Sequence, residues 1–313
     1  MTDQEKRFSI LVCIDGSQSS FQGLRYAIKF SLDHPDTDIS LLYVRPTDRG
    51  GSSEGLNMGL ARENLLDWDL ELPGLKSLKK ARDILLENGF LGDDWETEEI
   101  QKKSRGSRLG DHVVNYLSEK NGQHISLIVR IATSVLAGIL DEAHYVDYDL
   151  VIVSAGDEGL TGLGAIDAYT AVSVATEHNG TVILSRELEE GHGHLVCITN
   201  DPSSNKLALQ DAEIAARCGC PIYLYAVAES NEDKKQMQAI LDETKKALED
   251  EGYRVSGMSM DVGDPVGRII EKGKDHSLIV MAATKKSILK RMFIGSISHA
   301  VLKKAKTSVM IIR

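Results

Sequence analysis

The sequence contains an internal repeat. Leu11–Ser20 reads LVCIDGSQSS and Leu195–Ser204 reads LVCITNDPSS, so two ten-residue segments 184 positions apart start and finish alike. A second pair of similar segments, which we call the closing echo, lies 127 positions apart and consists of TVILSR at Thr181–Arg186 and SVMIIR at Ser308–Arg313. Matching starts and matching ends indicate that one fold unit is used twice.

Each copy has the same predicted order of elements. The first opens with the apolar run FSILVCID, which is typical of a strand buried on both faces. Apolar residues at helical spacing follow a serine at a capping position, and a second apolar strand, DISLLYVRP, comes next. The second copy repeats this order with HLVCIT, SSNKLALQDAEIAARCG and PIYLYAVAE. Strand–helix–strand order predicts parallel strands joined by right-handed crossovers, and therefore an α/β fold.

The first copy carries an insertion. Because the copies start 184 positions apart and finish 127 apart, the first is longer by 57 residues. Of these, two lie in the loop after Ser154 and 55 lie within about 47–106. This segment holds the loop DRGGSSEG, a predicted helix around Ser77–Asn88 and the polar stretch DDWETEEIQKKSRGS. Two interpretations are open: the segment forms a lid or a partner-binding surface, or it is a surface insertion with no special role. The predicted domains are residues 1–188, including the insertion, and 193–313.

Composition and charge exclude several classes of protein. Hydrophobic residues make up 42% and charged residues 27% of the chain, which is enough apolar material for a core. The net charge of −11 argues against a nucleic-acid partner, since such binding needs Lys and Arg on phosphates. No apolar run has membrane-spanning length, and the polar N-terminal residues do not read as a secretory signal. We therefore expect a cytoplasmic protein with neither a nucleic-acid nor a membrane partner.

Three segments are informative beyond the repeat itself: ILVCIDGSQSS, VGDPVGRII and FIGSISHAVLKKAKTSVMII. Through these segments the chain resembles the universal stress protein family in its tandem, two-domain form. The resemblance implies two flavodoxin-like units, of the type also found in adenine-nucleotide α-hydrolases, each a five-stranded parallel sheet flanked by helices. It also implies pairing of the two units and, in many members, ATP at the strand ends. Ligands of open α/β sheets generally lie outside the carboxyl ends of the strands.

The resemblance also implies site residues, because nucleotide-binding members have an Asp closing the first strand and a loop of the pattern G-x2-G-x9-G-[S/T]. In the first copy the matching positions are Asp15, Gly16, Ser17, Val44, Gly156, Gly159 and Thr170. In the second copy they are Val227, Gly263, Asp264, Gly295, Ser296 and Ser298. Neither set is complete. Tyr169 replaces the third glycine in the first copy, where aligning the strands instead puts Ser154 at the first glycine, and Thr199 replaces the Asp in the second.

The resulting functional prediction is a regulatory or protective protein of the stress response that binds ATP, with Mg²⁺, or a related adenine nucleotide. The alternative is an interaction module that binds no nucleotide and acts through its inserted segment. A third hypothesis is a slow ATPase, but no catalytic motif or general base stands out, so no catalytic residue and no resident metal are predicted. The two echoes TVILSR and SVMIIR are expected to pair within the chain, leaving a monomer or a homodimer.

Three further clusters each allow two interpretations. His192 and His194 form a His-x-His pair that could ligate zinc, but a Gly/His linker is the favoured interpretation. Cys218-Gly-Cys220 is interpreted as structural rather than redox-active, since redox pairs more typically have two residues between the cysteines. The polar residues of DEAH, at 141–144, are explained by the polar face of a predicted helix.

Overall fold

The structure is a computed structural model. It describes residues 7–47, 73–92, 95–100, 112–118, 121–154, 164–186, 193–200, 204–283 and 295–313. Contacts between residues divide the chain into two units. The first comprises Met1–Ile28 and Pro35–Ala171, and the second comprises Lys29–His34 and Val172–Arg313. The domain boundary placed between 188 and 193 stays a prediction.

Strands and helices alternate along most of both copies, but in the first copy three described strands come in succession without a described helix between them. The strands are β1 Phe8–Cys13, β2 Thr37–Pro46, β3 Glu96–Ile100, β4 His112–Leu117, β5 His124–Ala132, β6 Leu150–Ser154, β7 Thr181–Ser185, β8 His194–Ile198, β9 Ile222–Ala228, β10 Val255–Val262, β11 Leu278–Ala282 and β12 Ser308–Ile312. The helices are α1 Gln18–Ser31, α2 Pro73–Glu87, α3 Val135–Tyr145, α4 Ala168–Glu177, α5 Ser204–Cys218, α6 Lys234–Asp250, α7 Pro265–Gly273 and α8 Ser296–Lys304. In the described part of the chain, no helix is both long and apolar enough to cross a membrane.

Each unit contains one mostly parallel sheet. The strand order in the first unit is β6-β1-β2-β5-β4-β3, in which β6, β1, β2 and β5 run parallel. The order in the second unit is β10-β9-β8-β11-β12-β7, in which the first five strands run parallel. The prediction of two repeated α/β units is therefore confirmed. The strand β7, which carries the first copy's closing echo, lies in the second unit and pairs antiparallel with β12.

The inserted segment contributes more regular structure than its composition suggested. The predicted helix is present as α2, which begins earlier than expected, at Pro73. Proline fits the first helical turn because its missing N–H would have no partner there. The polar stretch contains the strand β3, which pairs antiparallel with β4 at the edge of the sheet. Within the described residues β3 has a neighbouring strand on one side only, and a charged strand is tolerated at such an edge.

The cores are built from the apolar runs that the sequence shows. Every residue of β6, β8 and β12 is buried, as expected for parallel strands covered on both faces. Cys13 on β1 and Cys197 on β8 are both buried, and neither forms a disulfide. Burial raises the pKa of the Cys197 thiol to about 12, and raises that of Cys13 as well. Both cysteines therefore act as small apolar side chains.

Candidate functional site

Each unit has a point where the strand order reverses, and this point is the expected ligand site of an open α/β sheet. In the first unit β1 lies between β6 and β2, and in the second β8 lies between β11 and β9. The chain leaves the central strand towards the neighbour on one side, β2 or β9, and later returns to add a strand on the other side, β6 or β11. The carboxyl ends of β1 and β6, and those of β8 and β11, are the candidate positions for a ligand.

In the first unit, the Asp15 carboxylate already accepts hydrogen bonds from other residues of the chain. One carboxylate oxygen accepts hydrogen bonds from the backbone N–H of Ser17 at 2.9 Å and from its hydroxyl at 2.5 Å. The other oxygen accepts from the backbone N–H of Ile166 at 3.0 Å. Ser17 in turn accepts from the N–H of Ser20 and caps the start of α1. Both oxygens that could contact a sugar or base are therefore already hydrogen-bonded.

The inserted helix α2 lies against the same strand ends. A Cβ placed on Gly16 would be 2.6 Å from the Ser77 hydroxyl, and one on Gly74 would be 2.3 Å from the Tyr43 ring. Val44, the expected neighbour of an adenine, is buried, and a Cβ on Gly138 would be 2.4 Å from its side chain. Burial also raises the pKa of Tyr43. The end of β2 is thus covered by α2 and α3.

The helix that follows the glycine loop of the first copy begins with an acidic cap. The Asp167 carboxylate accepts a hydrogen bond from the backbone N–H of Thr170 at 2.6 Å, at the start of α4. Thr170 contributes this backbone group, and Gly156 and Gly159 lie outside the described residues. A negative charge therefore already sits at the helix N-terminus where the resemblance places phosphate.

In the second unit the position of Asp15 is taken by Thr199. Its backbone N–H donates to the Ser204 hydroxyl at 3.2 Å, and that hydroxyl donates to the Thr199 carbonyl at 2.8 Å, which ties the end of β8 to the start of α5. Val227 near the end of β9 is half-buried. Gly263 follows β10 with a φ of +131°, and Asp264 caps α7 by accepting from Gly267 at 2.8 Å. These residues all follow or end neighbouring strands.

Among the residues that the structure describes, no side chain caps the start of the helix α8. Its N-cap is Gly295, which has no side chain to accept a hydrogen bond, and Ser296 follows it as an exposed residue. The buried Ser298 hydroxyl donates to the Ala282 carbonyl at 3.2 Å, which holds the first turn of α8 beside the carboxyl end of β11. Backbone N–H groups and the positive end of the helix dipole are therefore presented at the switch point of the second unit.

The two units thus differ in the chemistry of one helix start. Asp167 stands before α4 and Gly295 stands before α8, although the surrounding elements follow the same order. Sequence reasoning singled out Gly295 but missed Asp167 and Ile166. The signal for Asp167 was available, because an Asp directly before a run of helical spacing is a capping pattern. Ile166 acts only through its backbone, so its side chain carries no signal.

Comparison with known proteins identifies the fold. The model of the universal stress protein family matches residues 7–177 and again 194–313. The structure is similar to that of a protein from Pseudomonas aeruginosa UCBPP-PA14 assigned to the universal stress proteins, with 14% identity, coverage of 97% of this chain and 92% of that chain, and a TM-score of 0.60. It is also similar to a universal stress protein from Archaeoglobus fulgidus DSM 4304, with 13% identity, coverage of 97% and 96%, and a TM-score of 0.59.

A search of curated protein sequences found no match. The two matched stretches nevertheless account for most of the sequence, and they correspond to the two copies found in the repeat. The chain therefore belongs to the universal stress protein family and carries its domain twice.

Proposed function

We propose that this protein is a regulatory or protective protein of the stress response that binds ATP or a related adenine nucleotide in its second unit, with its phosphates at the start of α8. The observation that carries the proposal is the Gly295 N-cap, held beside the end of β11 by the bond from Ser298 to Ala282. An uncapped helix N-terminus at a topological switch point is a general anion site in α/β proteins. A cytoplasmic location is part of the same proposal and rests on composition alone.

The rest of the second unit supplies groups of the required kinds. Thr199 and Gly263 follow β8 and β10, and the half-buried Val227 near the end of β9 offers an apolar contact for the base. Gly263 carries no side chain, so its backbone can approach a ligand closely. We assign the phosphates to the N–H groups around Ser296 and the base to the side of β9.

The first unit is proposed not to bind nucleotide in this arrangement. Asp15 is hydrogen-bonded to Ser17 and Ile166, and Asp167 places a carboxylate at the start of α4. A phosphate at that position would meet like charge, and like-charge juxtaposition costs several kcal/mol. The Asp167 carboxylate thus provides a negative charge at the start of α4, whereas at the start of α8 the phosphate of the nucleotide would provide it.

Calorimetric titration of the tag-free chain with ATP, ADP and AMP, each with and without Mg²⁺, tests the proposal. The variant Gly295→Asp copies into α8 the cap that α4 already has. Its φ of −59° is accessible to Asp, and the new cap should stabilise the helix by about 0.3–1 kcal/mol. We expect the same variant to weaken nucleotide binding by about 100-fold or more, because its carboxylate repels phosphate.

The matched control is Asp167→Ala in the first unit, which should leave the affinity of the second unit unchanged. Equal binding by Gly295→Asp and the wild type would exclude the start of α8 as the phosphate site. If the wild type binds none of the three nucleotides, the alternative of an interaction module acting through the inserted segment replaces this proposal.

A further inference from the structure

A second cluster of chemically active side chains lies at the amino ends of the strands in the second unit's sheet, on the side opposite the proposed nucleotide site. His194 opens β8, and Cys218 and Cys220 flank the turn between α5 and β9. A ring nitrogen of His194 and the two cysteine sulfurs all lie within 4.8 Å of one another. These are the amino ends of β8 and β9, whereas the nucleotide is proposed at the carboxyl ends. The cluster is therefore independent of the proposed function.

The backbone holds both cysteines in place. Gly219 has a φ of +60°, and its N–H donates to Ala216 at 3.2 Å while the N–H of Cys220 donates to Ala215 at 2.9 Å. This pair of bonds is the Schellman motif that ends many helices, and it requires a residue such as glycine at the left-handed position. The Cys-Gly-Cys spacing is thus the spacing of a helix end, which places one cysteine on each side of the turn.

His194 is oriented by its surroundings. Its backbone N–H donates to Pro221 at 2.8 Å, and its Nδ1 lies 2.8 Å from a carboxylate oxygen of Asp211. His194 and Asp211 are 1% and 0% exposed. A carboxylate that engages one ring nitrogen leaves the other, Nε2, as the nitrogen for a metal ion, which is the usual arrangement around histidine ligands.

The buried carboxylate provides a separate argument for a cation. Within the described residues, the second oxygen of Asp211 is buried and accepts no hydrogen bond. A buried carboxylate whose only described partner is an imidazole is costly, since charges in protein interiors are normally paired or close to metals. A divalent cation bound to Nε2 of His194 would be separated from the Asp211 carboxylate only by the imidazole ring. Its positive charge would offset the cost of burying the carboxylate.

In this structure Cys218 and Cys220 form a disulfide. A dithiol reductant would supply two electrons and two protons to give two thiols and would leave as its own disulfide. Binding of a divalent cation by the two thiols would then release both protons. Atoms bound to one tetrahedral zinc ion through Zn–S and Zn–N bonds lie about 3.5–3.8 Å apart, which is within the spread of the three groups.

We propose that Cys218, Cys220 and His194 form a redox-gated site for zinc, with Asp211 as the residue that positions the histidine. Two thiolates and an imidazole are the donors that favour Zn²⁺ over Mg²⁺ or Ca²⁺. The reduced protein binds the ion. A disulfide oxidant then takes two electrons from the two thiolates and, with two protons, leaves as two thiols. The Cys218–Cys220 disulfide forms, two of the three ligands are lost and the ion is released.

The test is a titration of the tag-free, metal-stripped full chain with Co²⁺ and then Zn²⁺ under anaerobic conditions. The protein is first reduced with a phosphine, which leaves as a phosphine oxide with the oxygen of water. We expect one Co²⁺ per chain, with the visible bands of a tetrahedral ion and a thiolate charge-transfer band, and displacement of Co²⁺ by Zn²⁺. The oxidised protein should take up neither ion.

Variants assign the ligands. Cys218→Ser, Cys220→Ser and His194→Asn should each abolish the thiolate-cobalt spectrum or reduce it severely. The Asn amide keeps a donor for Asp211 but lacks Nε2, and thermal unfolding without metal checks that each variant is folded. Asp211→Asn should weaken Zn²⁺ by about 10–100-fold, as loss of such supporting groups typically does.

The matched controls are Cys13→Ala and Cys197→Ala, which remove the two buried cysteines outside the cluster and should leave the spectrum unchanged. Absence of a thiolate-cobalt band in the reduced wild type would overturn the proposal, as would its survival in Cys218→Ser or Cys220→Ser. Equal metal uptake by reduced and oxidised protein would overturn the redox gating.

Discussion

At the scale of single residues, the acidic run on α3 shows how burial decides the role of a charge. Glu142 is buried and pairs with the Arg130 guanidinium, while the Tyr148 hydroxyl donates to it at 3.2 Å. Burial, with the Glu142 carboxylate as a second cause, raises the pKa of Tyr148. We expect Glu142→Ala to lower the free energy of unfolding by about 3–5 kcal/mol, because it leaves Arg130 without this partner in a low-dielectric site.

Urea unfolding followed by circular dichroism measures this effect. The control is Asp141→Ala on the same helix, where the side chain is exposed and the change should stay within about 0.5 kcal/mol. Similar losses for the two variants would mean that the buried pair is not what stabilises this part of the first unit.

At the scale of secondary-structure elements, each of the two strands that carry the closing echo is followed by an arginine that caps a helix. Arg313 after β12 donates to the Ala175 carbonyl at 2.7 Å and to the Thr176 carbonyl at 3.1 Å, in the last turn of α4. Arg186 after β7 donates to the Leu302 carbonyl, near the end of α8. Burial lowers the pKa of both arginines to about 10, so both remain charged at neutral pH. Carbonyls at a helix C-terminus favour such a cation.

We expect Arg313→Ala and Arg186→Ala each to destabilise the protein by about 1.5–3 kcal/mol, the usual value of hydrogen bonds to charged groups. Lysine should restore only part of this stability, because a single ammonium cannot reproduce the planar fork of the guanidinium. Thermal unfolding measures both effects, with Lys303→Ala as the exposed control in the last turn of α8. Full rescue by lysine would show that charge alone matters there.

At the scale of the whole molecule, the strand β7 links the two sequence copies by strand pairing as well as by the covalent chain. It closes the first copy in sequence but pairs with β12 in the second unit, in the register Leu184↔Val309 and Val182↔Ile311. These four side chains are fully buried. If a protease site is inserted between Arg186 and Gly193 and cut, we expect both fragments to elute together at the position of the intact chain in size-exclusion chromatography.

Denaturant should then be required to separate the fragments, because buried apolar strands and their ladder of hydrogen bonds hold them together. The cut Arg186→Ala, Arg313→Ala double variant should separate at a lower denaturant concentration than the cut wild type. Elution of two separate folded fragments without denaturant would contradict the role assigned to β7.

Much of the architecture follows from local patterns in the sequence. The apolar runs around Cys13 and Cys197 predict buried parallel strands, and the echoes between the copies predict a repeated α/β unit, which the structure confirms. Such patterns are reliable because a strand covered on both faces must be apolar along its whole length. The strand β3 escaped prediction because edge strands need no such run.

The state of each candidate site depends on contacts that the sequence does not display. Asp15 matches the family pattern, but a hydrogen bond from Ile166, which is 151 residues away, occupies it. The zinc proposal likewise depends on a contact between His194 on β8 and Asp211 on the crossover helix α5. The sequence by itself determined the repeated unit and the residues at its strand ends, because periodicity and capping are local properties. Only the tertiary structure decided which of those residues are already engaged, since hydrogen bonds between distant segments exist only once the chain is folded.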